Sequence, residues 1–135
     1  MDGDLTSEEI LEYMADKYGK RYPPLGVFVL DYFREQGLVH VVEHGRGIEG
    51  VMIFRKVKLR EFNPRDRMSH DKKGDCAFVV ELCADNKKAI AECVRAMEKR
   101  LGNVKSLGMH RRGIVHFYDY DRYVNKLLGN ERIRK

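Results

Sequence analysis

The chain has 135 residues, 43% of them hydrophobic and 35% charged, with a formal net charge of +5. That length fits one domain spanning 1–135, able to bury roughly two-thirds of its unfolded surface, and the charge permits an anionic partner without requiring one. No apolar run approaches the ~20 residues of a membrane span, and the acidic N-terminus lacks a secretory apolar segment. Cys76, Cys83 and Cys93 sit in apolar stretches without a CxxC spacing. They read as reduced core thiols, which points to the cytoplasm.

In chain order, Thr6-Ser7-Glu8-Glu9 has the pattern of a capping box, and Ile10, Leu11, Met14, Ala15 and Tyr18 form one helical stripe ending near Gly19. Pro23-Pro24 breaks the chain and can start a second helix, with Val27, Phe28, Leu30, Tyr32 and Phe33 before Gly37. Leu38 to Glu43 reads as a strand, Gly45-Arg46-Gly47 as its turn and Ile48 to Leu59 as the partner strand. Residues 60 to 74 are polar, contain Pro64 and form the longest expected loop.

Cys76-Ala77-Phe78-Val79-Val80-Glu81-Leu82-Cys83-Ala84 is apolar at both parities apart from one carboxylate, so it reads as a central strand covered on both faces. Asp85 and Asn86 are candidate N-caps for a helix with Ala89, Ile90, Cys93, Val94, Met97 and Leu101 on one face, stopped by Gly102. The stretch from Val104 to His110 returns as a strand and completes a βαβ-like unit. After Gly113 come a last strand, Ile114 to Tyr118, and a short helix capped by Asp119 or Asp121 and ended by Gly129. Residues 1–6 and 130–135 are expected to be frayed termini.

This order of elements, with the hairpin Val41 to Phe54 and Gly50 at the entry to its second strand, resembles the GNAT superfamily of N-acyltransferases. The resemblance implies a mixed sheet with N-terminal helices, a central strand-helix-strand unit, and two strands that splay around an acyl-donor cleft. It also implies an acyl donor, acetyl-CoA or an acyl carrier protein, whose phosphates meet the junction between central strand and helix. That junction here is Cys83-Ala84-Asp85-Asn86-Lys87-Lys88, with no glycine and with a carboxylate in the path of the phosphates. Cys83, Asn86, Lys87 and Lys88 are the donor-binding candidates. Phe78 to Ala84, with Glu81 as its acidic member, is also similar in pattern to the toxin-activating lysine acyltransferases, although Gly19-Lys20-Arg21-Tyr22 stands where that branch carries a histidine.

Glu81 is the candidate general base, because a carboxylate in an apolar strand has a raised pKa suited to taking a proton from an amine. Pairing with a nearby cation is the structural alternative. Tyr118 is the candidate general acid by the same resemblance, with packing as its alternative. Gly45 to Gly50 matches GxGxxG, but a strand follows it, so the glycines serve a turn. His40 and His44 would stand about 13 Å apart on one strand face, too far to share an ion, and no metal site is expected. Arg55, Lys56, Lys58, Arg60, Arg111 and Arg112 form a basic face for nucleic acid or an acidic protein, or a charged strand edge.

Two functions follow as expectations. One is acyl transfer to an amine with a degenerate donor site. The other is a non-catalytic protein of the same fold, for instance phage-borne, that binds a partner through its basic face.

Overall fold

The computed structural model describes residues 5–19, 26–45 and 47–128. Helix α1 (Ser7–Tyr18) is opened by the expected capping box, in which the Thr6 hydroxyl accepts from Glu9 N–H and the Glu9 carboxylate accepts from Thr6 N–H. Arg34 also donates to Leu5 O at 2.9 Å, and residues 1–4 of the expected frayed terminus lie outside the described residues. Helix α2 (Val27–Glu35) follows, and the α1–α2 pair is tied by Ser7, whose hydroxyl donates to Asp31 and accepts from Arg34. The Pro23-Pro24 break, Lys20-Arg21-Tyr22, Arg46 of the hairpin turn, and Gly129 with the tail behind it lie outside the described residues.

The sheet holds β1 (Val39–His44), β2 (Gly47–Val57), β3 (Cys76–Ala84), β4 (Ser106–Arg111) and β5 (Ile114–Asp119), in that spatial order. Three pairings are antiparallel, and β3 with β4 is parallel. The parallel pair needs a crossover, which is α3 (Lys87–Leu101). A last helix, α4 (Tyr120–Leu127), follows β5 directly and is capped by Asp119. The β1–β2 hairpin starts and ends within two residues of its expected bounds, and a 3₁₀ turn, Leu59–Glu61, takes the end assigned to the second strand.

The register divides the sheet into two faces. One face carries His40, Val42, Gly50, Met52, Phe54 and Leu82 and is covered by α3. There Gly50 admits the helix, since a Cβ on it would meet Ala89 Cβ at 3.2 Å. The other face carries Val51, Ile53, Arg55, Glu81, Cys83 and Phe78 and is covered by α1, α2 and the segment 58–75. One apolar core runs through both layers, with Phe33, Phe54, Ile10, Met14, Leu30 and Met52 among its fully buried side chains.

Candidate functional site

The centre of β3 is where its neighbours part. The β3–β4 pairing ends at Val79 opposite Met109, yet β3 continues to Ala84, and β4 continues to Arg111 alongside β5. The two parallel strands therefore diverge, and β3 from Val80 to Ala84 has no β4 partner. A β-bulge marks the same place, where Ile53 and Phe54 of β2 face Glu81 and Val79, leaving Val80 as the extra residue. The bulge sets the parity of everything that follows it. Glu81 turns to the face shared with Ile53 and Phe78, under α1.

Glu81 is 9% exposed. Tyr18, in the last turn of α1, places its hydroxyl 3.2 Å from Glu81 Oε1 and 2.9 Å from Leu82 O. Burial pushes the Glu81 carboxyl up from 4.5 to about 7, against the pull of the Tyr18 hydroxyl. A group with that value is divided between acid and base near neutral pH, as general acid–base chemistry requires. Tyr18 is itself held far above the ordinary phenol value, first by burial and then by the Glu81 charge, so it acts here as a hydrogen-bond donor.

The junction after β3 is filled from within the chain. Asn86 caps α3, its side-chain oxygen accepting Ala89 N–H at 2.8 Å. Asp85 accepts from the Tyr13 hydroxyl at 2.8 Å and meets Lys17 Nζ at 2.6 Å. The hydrogen bond from Lys17, followed by that from Tyr13, holds the Asp85 carboxyl below the usual carboxylate range. A carboxylate so held stays ionised beside the positive end of α3, paired with Lys17. Lys87 and Lys88 are exposed. Cys83 is buried, and burial raises its thiol to about 12, so it presents no thiolate. Of the four donor-binding candidates, the structure thus places two at an exposed helix start, one in a cap and one in the core.

Tyr118 is not brought to Glu81. Through Phe78, Gly108 and Phe117 the register puts Phe117 on the Glu81 face, so Tyr118 points to the other one. There it stacks on Tyr123 at 4.4 Å between centroids and accepts from Arg111 at 3.3 Å. Nor do the six basic residues form one surface. Arg55 is 2% exposed, lies over the Phe78 ring, and donates to Ser69 O at 2.8 Å and Asp66 O at 2.7 Å. Lys56 donates to Leu101 O at 2.6 Å, satisfying the end of α3. Both side chains are structural, because the segment 58–75 and the helix end bring backbone carbonyls over them. Lys58, Arg60, Arg111 and Arg112 remain exposed.

The histidines are apart as well. His40 lies against Glu92 and His44 against Glu49, while His110 meets the Phe78 ring edge-on. Among the described residues no group of three or more His, Cys, Asp or Glu is placed to hold a metal ion. No helix among them is long and apolar enough to cross a membrane.

Residue spacing gave no signal for Tyr13, Lys17 and Tyr18, which the structure adds to the site. They lie on one face of α1 at helical spacing, and their partners are 63 to 72 residues away.

No protein-family model matches the chain, and no curated protein matches it significantly. Among solved structures it is similar to TTHA1254 (I68M mutant) from Thermus thermophilus, with a TM-score of 0.58 and 19% sequence identity. The match covers 94% of this chain and 83% of that one, so the likeness extends over the whole α/β arrangement and is a likeness of fold.

Proposed function

We propose that the chain is a GNAT-like acyltransferase-fold protein that moves an acyl group from a thioester to an amine, with Glu81 as the base. One observation carries this reading. A buried carboxyl with a pKa of about 7 lies on the stretch of β3 that β4 has left. Strands parting around an acidic residue are what the resemblance implies for an acyl-donor cleft.

In the proposed reaction Glu81 takes a proton from the acceptor nitrogen as that nitrogen attacks the thioester carbonyl. The C–N bond forms, the C–S bond breaks, and the departing thiolate takes up a proton from solvent, to which Glu81 releases the one it took. The ionised Asp85 at the start of α3 favours a donor that does not lay a diphosphate there. A thioester carried on an acyl carrier protein meets that condition better than acetyl-CoA, with Lys87 and Lys88 facing the carrier's acidic surface.

The occupied α3 N-terminus favours a second reading, in which the fold binds a partner and turns nothing over. The exposed Lys58, Arg60, Arg111 and Arg112 would then serve nucleic acid or an acidic protein.

Thermal-shift titration with acetyl-CoA, free CoA, an acyl carrier protein and a short DNA duplex separates these readings. A ligand at ~100 times its dissociation constant adds about 2.7 kcal/mol of stability, several degrees for a domain this size. Stabilisation by CoA, or by acyl-loaded carrier protein beyond that given by the unloaded carrier, supports the acyltransferase reading. A rise with DNA alone replaces it with the second.

A further inference from the structure

A concavity lies on the sheet's α3 side, at the end remote from the β3–α3 junction. It is bounded by the end of α2, the segment 70–72 and the last turn of α3, and has a volume of about 470 Å³. Lys56, His70, Lys72 and Arg100 line it together with Gln36 and the apolar Leu38, and among the described residues its lining contains no carboxylate. Asp71, next in sequence to two of these groups, is engaged with Lys58 and with Lys73 N–H.

The cations are held in place by backbone. Arg100 spends Nη1 on Gly37 O at 2.9 Å and on Val39 O at 2.6 Å. Among the described residues its Nε and Nη2 make no hydrogen bond, and they remain as a donor pair. Lys56 spends one proton on Leu101 O and keeps two. His70 Nδ1 accepts the Lys56 backbone N–H at 3.0 Å. That bond fixes the tautomer, because an accepting Nδ1 leaves the ring proton on Nε2. Burial, and then the charges of Lys56 and Lys72, hold the imidazole below its usual pKa, so it stays a neutral donor. Lys72 is exposed and free to fold over the opening.

The C-terminal end of α3 opposes an anion here with about half a negative charge. Three full positive charges face it, and the two that donate to helix and strand carbonyls keep their charge while doing so. The balance favours a ligand with more than one negative charge. The volume exceeds what an orthophosphate ion needs and falls in the ~300–1,000 Å³ range of small-molecule sites.

We propose that this pocket, in which Arg100, Lys56 and Lys72 converge with the Nε2–H of His70, binds a small phosphate-bearing anion. The site is independent of acyl transfer. Glu81 lies on the opposite face of the sheet.

The test is an NMR titration of the full chain at pH 8 with sodium phosphate, and with sodium chloride at matched ionic strength. The expected result is saturable movement of the Gln36, Gly37 and Leu101 amides and of the His70 ring with phosphate only. Lys72→Gln, at an exposed position outside the core, should weaken binding at least fivefold, and Glu81→Gln should leave it unchanged. A parallel titration with adenosine monophosphate distinguishes the source of the phosphate. A lower midpoint than inorganic phosphate assigns a phosphorylated small molecule, and an equal or higher one assigns the free ion. Movement that follows chloride equally, fails to saturate, or is unaltered in Lys72→Gln overturns the proposal.

Discussion

The Tyr18 hydroxyl stands 3.2 Å from Glu81 Oε1 and 2.9 Å from Leu82 O, and it has one proton to give. With Glu81 neutral, that proton can go to the Leu82 carbonyl while the carboxyl donates its own to the Tyr18 oxygen. With Glu81 ionised, the hydroxyl can turn to the carboxylate. This hydrogen bond can thus serve both protonation states of Glu81 without moving a heavy atom, which suits the proton transfer proposed for it.

The raised Glu81 pKa has a direct consequence for stability. Below pH 4.5 the carboxyl is neutral in the folded and the unfolded chain, so its contribution is fully present. Between pH 4.5 and about 7 the unfolded chain releases a proton that the folded chain retains, and stability falls as pH rises. For a carboxyl that keeps some exposure, the loss is on the order of 2 kcal/mol. Glu81→Gln has no such dependence. Its melting temperature should match wild type at pH 4 and exceed it at pH 8; parallel pH profiles for the two proteins would show that the carboxyl ionises normally.

Asp85 holds the place where a diphosphate would need backbone N–H groups. Replacing it with alanine removes the charge facing the start of α3 and frees Lys17 Nζ, now 2.6 Å from its carboxylate. Free CoA should bind Asp85→Ala several-fold more tightly than wild type in isothermal titration calorimetry. Equal affinities would mean that Asp85 does not govern donor choice.

Asn86 supplies the side-chain cap of α3, and loss of such a cap costs about 1 kcal/mol. Asn86→Ala should lower stability by that amount in urea denaturation, while Asn86→Asp should retain most of it. Helix α3 packs over β1, β2 and β3, so the loss will appear as global rather than local unfolding.

Gly108 is fixed by space rather than by backbone angle. A Cβ there would lie 2.7 Å from Phe117 Cε1 and 2.8 Å from Phe78 Cδ2. Phe78 is hemmed in by Phe62, stacked at 5.2 Å, and by the Arg55 guanidinium at 5.1 Å from its centroid. Gly108→Ala should therefore cost about 1–3 kcal/mol, read by thermal denaturation. A neutral substitution would show that the ring cluster gives way freely.

The local parts of this fold were legible in the sequence. The Thr6 capping box, the α3 stripe with Asn86 before it, and the apolar run of β3 all follow from short-range pattern, and each forms close to its expected bounds. What escaped is what tertiary contact decides. Arg55 and Lys56 read as surface charges because nothing local announces that residues 66, 69 and 101 will offer them carbonyls. The bulge at Val80 sets which way Glu81 points, and alternation alone cannot supply it. Glu81 stood out as a charge in an apolar strand, whereas Tyr18 looked like one more member of the α1 stripe.

The proposed role of Glu81 as a base is read from the pH–rate profile of acyl transfer in wild type and Glu81→Gln. Acyl carrier protein and acetyl-CoA would serve as donors and a lysine peptide as acceptor, with product read by mass spectrometry. The wild-type rate should rise through an apparent pKa of about 7 and then level, and Glu81→Gln should lose at least a hundredfold. A rate unchanged in Glu81→Gln, or no transfer by wild type from either donor, would contradict it.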